Sequence, residues 1–381
     1  ADTFAEFGLR DQPQGVTEAE VKLRFFWADS DMTALRTAIR RNLGLDWPEQ
    51  SGASGPELPG STAVASLEAL KAELTRAIAA AEQPPVFDIS ALEKDEHFDL
   101  TVKNLYYTII NAHPEYKYAY DLTASVEADG TLRCTISYMP YRTGNYPADF
   151  QGTEVDSLAE LVQTARAGLS QGTIDIRITD PTLAVDDMNK ALQQVGGGWL
   201  LCQLNRDSTA ITVTPQNGLT HAQALERLAE TQRLAEQIYG ETVTADMDQQ
   251  EKAEALYSYL TEQVRYDFRY YGQPGEMPYE STTAYGALHD HLAICGGYAQ
   301  ALQILLEQAE IPCITVIGKM GSENHMWNLA QIDGQWLYFD ATSDRGRAEY
   351  GFSYCGAAPE ELVRYVWEHD RAMFLAESIF P

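Results

Sequence analysis

A turn signal near the C-terminal end of the sequence restricts the possible folds of this chain more than any other feature. Asp333-Gly334 stands between two apolar runs, Met326–Ile332 and Gln335–Phe339. Asp-Gly between such runs is a strong signal for a β-hairpin with a two-residue loop. The sequence therefore predicts an antiparallel hairpin, and the turn fixes the pairing register on both sides of it.

The register brings an imidazole and a carboxylate together. With a two-residue loop, Ile332 pairs with Gln335, His325 lies opposite Thr342, and Asp340 is the diagonal neighbour of His325 on the same face. Diagonal neighbours are roughly 7–8 Å apart or less, within reach of a hydrogen bond between these two side chains. A three-residue loop would move Asp340 to the other face, so this prediction depends on the turn type.

A cysteine stands at the predicted start of a helix upstream of the hairpin. Cys295-Gly296-Gly297 precedes an apolar stripe at helical spacing that runs to Ala309. The unpaired N–H groups and the positive dipole end at a helix N-terminus favour a thiolate and can stabilise an oxyanion. The two glycines would also let a substrate acyl group approach the backbone closely.

Cys295, His325 and Asp340 together fit a catalytic triad. A base beside the thiol takes its proton, and a carboxylate fixes the tautomer and orientation of that base. Alone, each residue is more often structural: a buried cysteine packs, a histidine beside tryptophan is satisfied locally, and an aspartate at a strand end caps a turn. The combination with a helix start and a hairpin favours catalysis.

Six short motifs in this part of the chain carry a family resemblance. They are Val264-Arg-Tyr-Asp267, Cys295-Gly-Gly-Tyr-Ala299, Ile311-Pro312, His325-Met-Trp-Asn328, Asp333-Gly-Gln-Trp336 and Asp340-Ala-Thr-Ser-Asp344. Together they resemble the transglutaminase-like superfamily, whose core is a papain-like helix followed by a β-sheet. The resemblance implies that Cys295 is the nucleophile, His325 the base and Asp340 the orienting group.

Three positions depart from the pattern of many bacterial members of that superfamily. This chain has Gly296 in place of Gln, Met326 in place of Ala, and Ser343 in place of Trp. None of these changes removes a member of the triad. Ser343 alters the wall beside Asp340, so it bears on the substrate more than on the chemistry.

The whole chain is predicted to be α+β. Residues 1–50 are expected to form an N-terminal helical segment, 51–62 a flexible linker rich in Gly, Ser and Pro, 63–216 a smaller α+β accessory domain, and 217–381 a transglutaminase-like catalytic domain with the cysteine helix packed on an antiparallel sheet. Within the last of these, Gly240 is expected to end a helix that begins at Thr220, and residues 360–377 are expected to form a terminal helix.

A substrate cleft is expected around Cys295. The tyrosine-rich loop from Tyr266 to Tyr285 either lines this cleft or packs down on the protein surface, and the sequence favours neither. The residues predicted to line the cleft are Gly296, Gly297, Trp327, Tyr298 and Tyr285.

Composition excludes several classes of function. The chain has 56 acidic and 27 basic side chains and a net charge of −29, which argues against binding to nucleic acid or anionic lipid. No apolar run approaches the roughly 20 residues needed to span a bilayer. The five cysteines form no CxxC pair, His289-Asp290-His291 lacks a further ligand, and no EF-hand spacing occurs. We therefore expect no metal, including calcium, and no cofactor.

The expected activity is cysteine-dependent acyl transfer on protein or peptide amides, through a thioester that an amine or water resolves. One alternative is a cysteine peptidase or amidase that acts on protein or cell-wall peptides. Another is a non-catalytic binding or scaffold module of the cell envelope. A sequence that begins at Ala1 is compatible with a trimmed chain or with a mature exported one. Since the resemblance is mostly to bacterial envelope or secreted proteins, export to the cell envelope or the exterior is expected. The sequence makes no prediction of the oligomeric state.

Overall fold

The computed structural model describes residues 60–95, 97–273 and 275–381. The predicted helical segment 1–50 and most of the predicted linker lie outside these residues. Thr62, the last residue assigned to the linker, instead begins a short strand, because it pairs in parallel with Phe87. The predicted boundary between residues 216 and 217 stays a prediction.

The described residues contain both helices and strands in alternation along the chain. The α-helices are α1 (Leu67–Ala80), α2 (Phe98–Ala112), α3 (Pro140–Thr143), α4 (Leu158–Ala167), α5 (Val185–Leu192), α6 (His221–Thr242), α7 (Gln249–Gln263), α8 (Ala284–Leu288), α9 (Cys295–Gln308) and α10 (His369–Ile379). The strands are β1 (Thr62–Ala63), β2 (Phe87–Asp88), β3 (Ala119–Val126), β4 (Thr131–Tyr138), β5 (Thr153–Val155), β6 (Thr173–Ile178), β7 (Leu200–Leu204), β8 (Ala210–Pro215), β9 (Arg265–Tyr266), β10 (Leu292–Ala293), β11 (Cys313–Met320), β12 (Glu323–Ile332), β13 (Gln335–Phe339), β14 (Cys355–Ala357) and β15 (Tyr365–Val366).

The two halves of the sequence form separate sheets. The accessory region contributes two sheets, of order β1-β2-β4-β3 and β5-β6-β8-β7, and β9 pairs in parallel with β10. The C-terminal part contributes a five-stranded antiparallel sheet of order β14-β13-β12-β11-β15. The predicted α+β class is confirmed.

The hairpin of β12 and β13 has the expected register. Ile332 pairs with Gln335, and the pairing continues to Asn328 opposite Phe339. Asp333 and Gly334 have φ values of 49° and 80°, and two positive φ values are the signature of a type I′ turn, whose twist matches that of the strands. The predicted two-residue loop is therefore confirmed, and it brings the segment that contains His325 alongside the segment that contains Asp340.

Helix α9 packs on this sheet and against a neighbouring loop. Asn328 of β12 donates a hydrogen bond of 2.8 Å to the carbonyl of Ala299 in α9. On the other side, a Cβ atom at Gly297 would lie 2.8 Å from the carbonyl oxygen of Thr283 and 2.9 Å from that of Ser281. Gly297 is therefore required for close packing of the helix on residues 281–283, and this packing occupies the space that we expected a substrate to use.

The accessory region supports the same helix and sheet. The side-chain oxygen of Gln194 accepts hydrogen bonds from the backbone nitrogen and the hydroxyl of Thr315 in β11, at 2.8 and 3.0 Å. Tyr279 donates to the carbonyl of Gly198 at 2.7 Å. Arg166 of α4 forms an ion pair of 2.6 Å with Glu307 near the end of α9. Residues before and after position 216 therefore share one interface.

The sequence predicted that Gly240 ends its helix, and this prediction is wrong. Helix α6 continues through it to Thr242, and a Cβ atom there would meet nothing within 4 Å. A glycine inside a helix costs only about 1 kcal/mol relative to alanine. Burial of Ala235 and Ile238 on the same helix outweighs that cost.

The predicted terminal helix over residues 360–377 is wrong in its first half. A 3₁₀ turn at Pro359–Glu361 leads into strand β15, and only α10 is helical. Tyr365 and Val366, both good strand formers, pair with Met320 and Lys319 at the edge of β11. The pairing of β15 with β11 therefore outweighs the local helical pattern of these residues.

Gly297→Ala should destabilise the protein by about 1–3 kcal/mol, because backbone carbonyls cannot move away from the added methyl group. Gly240→Ala, the matched control, should stabilise it by up to about 1 kcal/mol, because its helix has free space at that position. Urea unfolding followed by circular dichroism measures both changes. Equal effects of the two substitutions would contradict the packing described for α9.

Candidate active site

Cys295 is the first residue of α9, and the start of this helix has no capping side chain. Its N-cap residue is Ile294, which offers no hydrogen-bond acceptor on its side chain. By contrast, α6 and α7 both begin with complete capping boxes. The first N–H groups of an α-helix have no partner within the helix. Those of α9 are therefore available beside the half-buried thiol of Cys295.

A buried carboxylate fixes the chain just before Cys295. Asp267 accepts two hydrogen bonds of 2.8 Å from the guanidinium of Arg269 and one of 2.7 Å from the hydroxyl of Ser281. Its backbone nitrogen donates to Ala293 at 3.0 Å, and Ile294 donates to Ser281 at 2.9 Å. The Arg269 guanidinium, with smaller contributions from Ser281 and a backbone N–H, lowers the pKa of Asp267 to about 2. Asp267 thus ties three segments together at the base of the helix.

His325 and Asp340 form a buried hydrogen-bonded pair. The Nε2 atom of His325 lies 2.7 Å from Oδ2 of Asp340, and the two residues are 7% and 2% exposed. A second interaction joins the imidazole to the side chain of Cys295. Because Asp340 takes Nε2, the nitrogen left for the thiol is Nδ1. The assignment of Cys295, His325 and Asp340 as a catalytic triad stays a prediction.

The imidazole is held in its charged form. Burial disfavours the imidazolium, but the hydrogen bonds and electrostatic interactions with Asp340 and Cys295 outweigh burial and raise the pKa of His325 to about 9. An ordinary histidine has a pKa near 6.5. At neutral pH the site therefore holds an imidazolium between a carboxylate and a thiol group.

Asp340 remains a carboxylate although it is buried. Burial raises its pKa, but the hydrogen bond and charge of His325, followed by hydrogen bonds from Tyr365 and Ser343, bring the pKa below its usual value. Removing a carboxylate from water costs several kcal/mol, of order 5. Hydrogen bonds to a charged group contribute roughly 1.5–3 kcal/mol each. The four that reach Asp340 are thus sufficient to offset its burial.

Two residues assigned to the cleft lie in the interior instead. Tyr298 is 1% exposed, and its hydroxyl donates to the carbonyl of Val264. Tyr285 is buried too, and its ring packs on Trp199 and His289. Tyr298 supports the start of α9 from behind, and Tyr285 joins α8 to the accessory region.

Trp327 contacts the site from inside the protein. Its ring is 1% exposed and stacks on the imidazole of His325, with ring centroids 5.8 Å apart at 23°. It therefore fixes the plane of the imidazole and offers no surface to a substrate. Gly296 is the one partly buried residue of the five that were expected in the cleft. A Cβ atom added at Gly296 would lie 3.3 Å from the carbonyl oxygen of Thr282.

An exposed aromatic cluster borders the site on one side. We call the rings of Tyr266, Phe268, Tyr270 and Tyr271 the aromatic border. The centroid of Tyr266 is 5.2 Å from that of Phe268 and 6.2 Å from that of Tyr271, and the centroids of Tyr270 and Tyr271 are 5.1 Å apart. The side chains of Phe268, Tyr270 and Tyr271 are 66%, 50% and 56% exposed. Tyr266 lies close enough to Cys295 for the thiolate charge to contribute to its raised pKa, after burial and Tyr271. Tyr271 donates to Glu323, two residues before His325, at 2.8 Å.

Sequence reasoning missed one residue that touches the site, Tyr365. Its hydroxyl lies 2.6 Å from Oδ2 of Asp340, although the sequence predicted a terminal helix over residues 360–377, which include it. The signal that could have revealed it is the run Leu362–Trp367, whose Val, Tyr and Trp residues favour a strand.

Two properties of the described ranges bear on other classes of function. Residues 60–95, 97–273 and 275–381 contain no grouping of three or more His, Cys, Asp or Glu side chains suited to a metal ion. In the same part of the chain, every helix is too short or too polar to cross a bilayer.

The sequence also matches a known family in the region of this site. Residues 233–341 match the profile of the transglutaminase-like superfamily, Transglut_core. The chain therefore contains a transglutaminase-like domain. The match includes Cys295, His325 and Asp340, and it supports a cysteine enzyme of this superfamily. No curated protein matches the chain significantly.

Three solved structures are similar to parts of the chain. A TGase is 13% identical, with a TM-score of 0.33, over 61% of this chain and 66% of its own. A candidate cysteine protease from Cytophaga hutchinsonii is 18% identical, with a TM-score of 0.23, over 35% of this chain and 50% of its own. A candidate protease from Parabacteroides distasonis is 18% identical, with a TM-score of 0.22, over 35% of this chain and 29% of its own. The chain spans less than two thirds of the length of each.

The raised pKa of His325 can be measured directly. Nuclear magnetic resonance of the imidazole C–H groups should give a midpoint near 9 in the unaltered protein. In Asp340→Asn the balancing charge is gone while burial remains, so the midpoint should fall by about 2 units or more. A midpoint near 6.5 in both proteins would contradict the buried ion pair.

Proposed function

We propose that this protein is an acyl-transfer enzyme in which Cys295 is the nucleophile, His325 the general acid and base, and Asp340 the group that orients His325. The observation that carries the proposal is the buried hydrogen bond between His325 and Asp340, together with the electrostatic interaction of the imidazole with the side chain of Cys295. A thiol beside an imidazolium that is itself held by a carboxylate is poised as a thiolate.

The reaction follows from the position of the three groups. The Cys295 thiolate attacks the carbonyl carbon of an amide, and a C–S bond forms while the carbonyl oxygen becomes an oxyanion. The backbone N–H of Cys295 at the start of α9 faces that developing charge. His325 gives its proton to the leaving amine, the C–N bond breaks, and a thioester remains on Cys295.

The second half of the reaction regenerates the enzyme. An amine or a water molecule attacks the thioester carbonyl while neutral His325 accepts its proton. The C–S bond then breaks, and the thiolate–imidazolium pair is restored. With an amine the product is a new amide, which is transglutamination. With water the product is a carboxylic acid, so the protein acts as an amidase or peptidase.

The half-buried state of Cys295 favours hydrolysis as the second candidate outcome, because water can reach a thioester formed there. A purely structural or scaffold role has less support. A non-catalytic module needs no unpaired helix start beside a thiol, and it needs no buried ion pair next to that thiol.

The aromatic border supports a protein or peptide substrate. Large exposed rings in contact with one another are uncommon on soluble proteins and mark surfaces that bind. Arg345 lies over the ring of Tyr266 at 4.9 Å and so fixes the border beside the thiol. An extended peptide whose reactive amide reaches Cys295 would lay its neighbouring side chains on Phe268 and Tyr270.

The triad can be tested with a glutamine-containing peptide, supplied with and without a labelled amine. Cys295→Ala and His325→Ala should each reduce product formation by about 10³-fold or more, and Asp340→Asn should lose less. Mass spectrometry separates amine incorporation from release of a carboxylic acid, which differ in product mass.

Cys355→Ala is the control for that experiment, because Cys355 is also half-buried but its pKa is raised to about 12 by burial and nearby acidic groups. It should keep full activity. Undiminished turnover in Cys295→Ala would rule out the proposed mechanism.

The role of the aromatic border has its own test. Phe268→Ser combined with Tyr270→Ser should raise KM about three- to thirtyfold and change kcat little, because these rings contribute binding away from the reacting atoms. Phe374→Ser is the control, since Phe374 is 50% exposed on α10. A KM that does not change in the double variant would exclude the border from substrate binding.

A further inference from the structure

Three donors converge on one oxygen of Asp340. Oδ2 accepts from Nε2 of His325 at 2.7 Å, from the hydroxyl of Ser343 at 2.7 Å and from the hydroxyl of Tyr365 at 2.6 Å. The two hydroxyls are also 3.1 Å from each other. Oδ1 accepts from the backbone nitrogen of Ser343 at 3.1 Å. The oxygen that His325 uses is therefore also the oxygen held by two other side chains.

Tyr365 is built into this position by the sheet. Strand β15 pairs with the end of β11, and Gly321 donates to the carbonyl of Arg364 at 2.9 Å. Gly318, which lies opposite His325 in the β11–β12 pairing, makes room for β15. A Cβ atom there would lie 2.5 Å from the carbonyl oxygen of Val366. The close approach of β15 thus brings Tyr365 to the carboxylate.

The ring of Tyr365 has separate contacts from its hydroxyl. It packs against the rings of His325, Trp327 and Tyr354, with centroids 5.9, 5.1 and 5.4 Å away. Replacing Tyr365 with phenylalanine keeps these contacts and removes only the hydrogen bonds of the hydroxyl. The two contributions can therefore be separated by one substitution.

We propose that Tyr365 is a positioning residue, which acts with Ser343 to hold the Asp340 carboxylate in the orientation that accepts from His325. This inference rests on the proposed function, because it concerns how the Cys295–His325 pair is maintained. Tyr365 touches neither the thiol nor the substrate and acts through Asp340.

The charged and titratable groups around Asp340 come from several elements. His325 is on β12 and Tyr365 on β15. Tyr257 of α7 senses the charge of Asp340 and donates to Asp344 at 2.8 Å. The backbone nitrogen of Asp344 donates to the backbone carbonyl of Asp340 at 3.3 Å, but neither Tyr257 nor Asp344 is a donor to the Asp340 carboxylate, so they do not compensate for the loss of the Tyr365 hydroxyl. A carboxylate that loses a donor takes up a proton more readily.

The test is the rate of Cys295 alkylation by iodoacetamide as a function of pH, read by peptide mass spectrometry in the unaltered protein, Tyr365→Phe and Tyr354→Phe. Tyr365→Phe should move the acid-side midpoint of the profile upward by about 0.5–1 pH unit. At a pH below the midpoint, alkylation should therefore be about three- to tenfold slower than in the unaltered protein. Tyr354→Phe keeps the ring beside Tyr365, loses a hydroxyl that is not a donor to Asp340, and should match the unaltered protein.

The outcomes separate the two proposals. If the unaltered protein reacts only as an ordinary thiol, the proposed function fails. If it shows a reactive thiolate and Tyr365→Phe has the same acid-side midpoint, only the role of Tyr365 fails. A uniform loss at every pH, with the midpoint fixed, would show a purely structural role and also overturn the inference. Ser343→Ala removes the other hydroxyl that donates to Oδ2 of Asp340, and it should also shift the midpoint upward. This second variant tests the inference if Tyr365→Phe does not fold.

Discussion

The buried hydrogen bond between His325 and Asp340 is the interaction on which the rest of this structure depends. A carboxylate and an imidazole that are both almost fully removed from water are stable together only if each balances the charge of the other. Their separation of 2.7 Å meets that condition. The same bond commits Nε2 of His325 to Asp340 and leaves Nδ1 for Cys295, so the position of the pair decides what the thiol can do.

Much of the fold serves to bring these groups to one place. The type I′ turn at Asp333-Gly334 sets the register that puts His325 beside Asp340. Gly297 lets the start of α9 approach residues 281–283, and the buried Asp267 ties that loop to the residues before Cys295. The accessory region adds a further layer of support through Gln194. Each of these contacts comes from a different segment of the chain.

The sequence predicted those parts of the site that depend on local rules. Turn chemistry, strand alternation and helical spacing were sufficient for the hairpin and for α9, and through them for the contact of His325 with Asp340. The same rules failed where the position of a residue depends on the direction of its side chain or on pairing with a strand distant in the sequence. Tyr298 lies one helical turn after Cys295, and its burial comes from a partner outside the helix, the carbonyl of Val264, that the spacing of residues within α9 does not reveal. Tyr365 lies in a two-residue strand whose stability comes from β11, and no local pattern of residues 360–377 reveals that pairing.

The most direct test of the central claim is the ultraviolet absorbance of the thiolate at about pH 6, well below the ~8.5 at which a free cysteine titrates. The difference between the unaltered protein and Cys295→Ser isolates the signal of Cys295. The account predicts that this difference corresponds to a thiolate at that pH and that it disappears in His325→Ala. A difference of zero in the unaltered protein would contradict the thiolate–imidazolium pair on which the proposed activity rests.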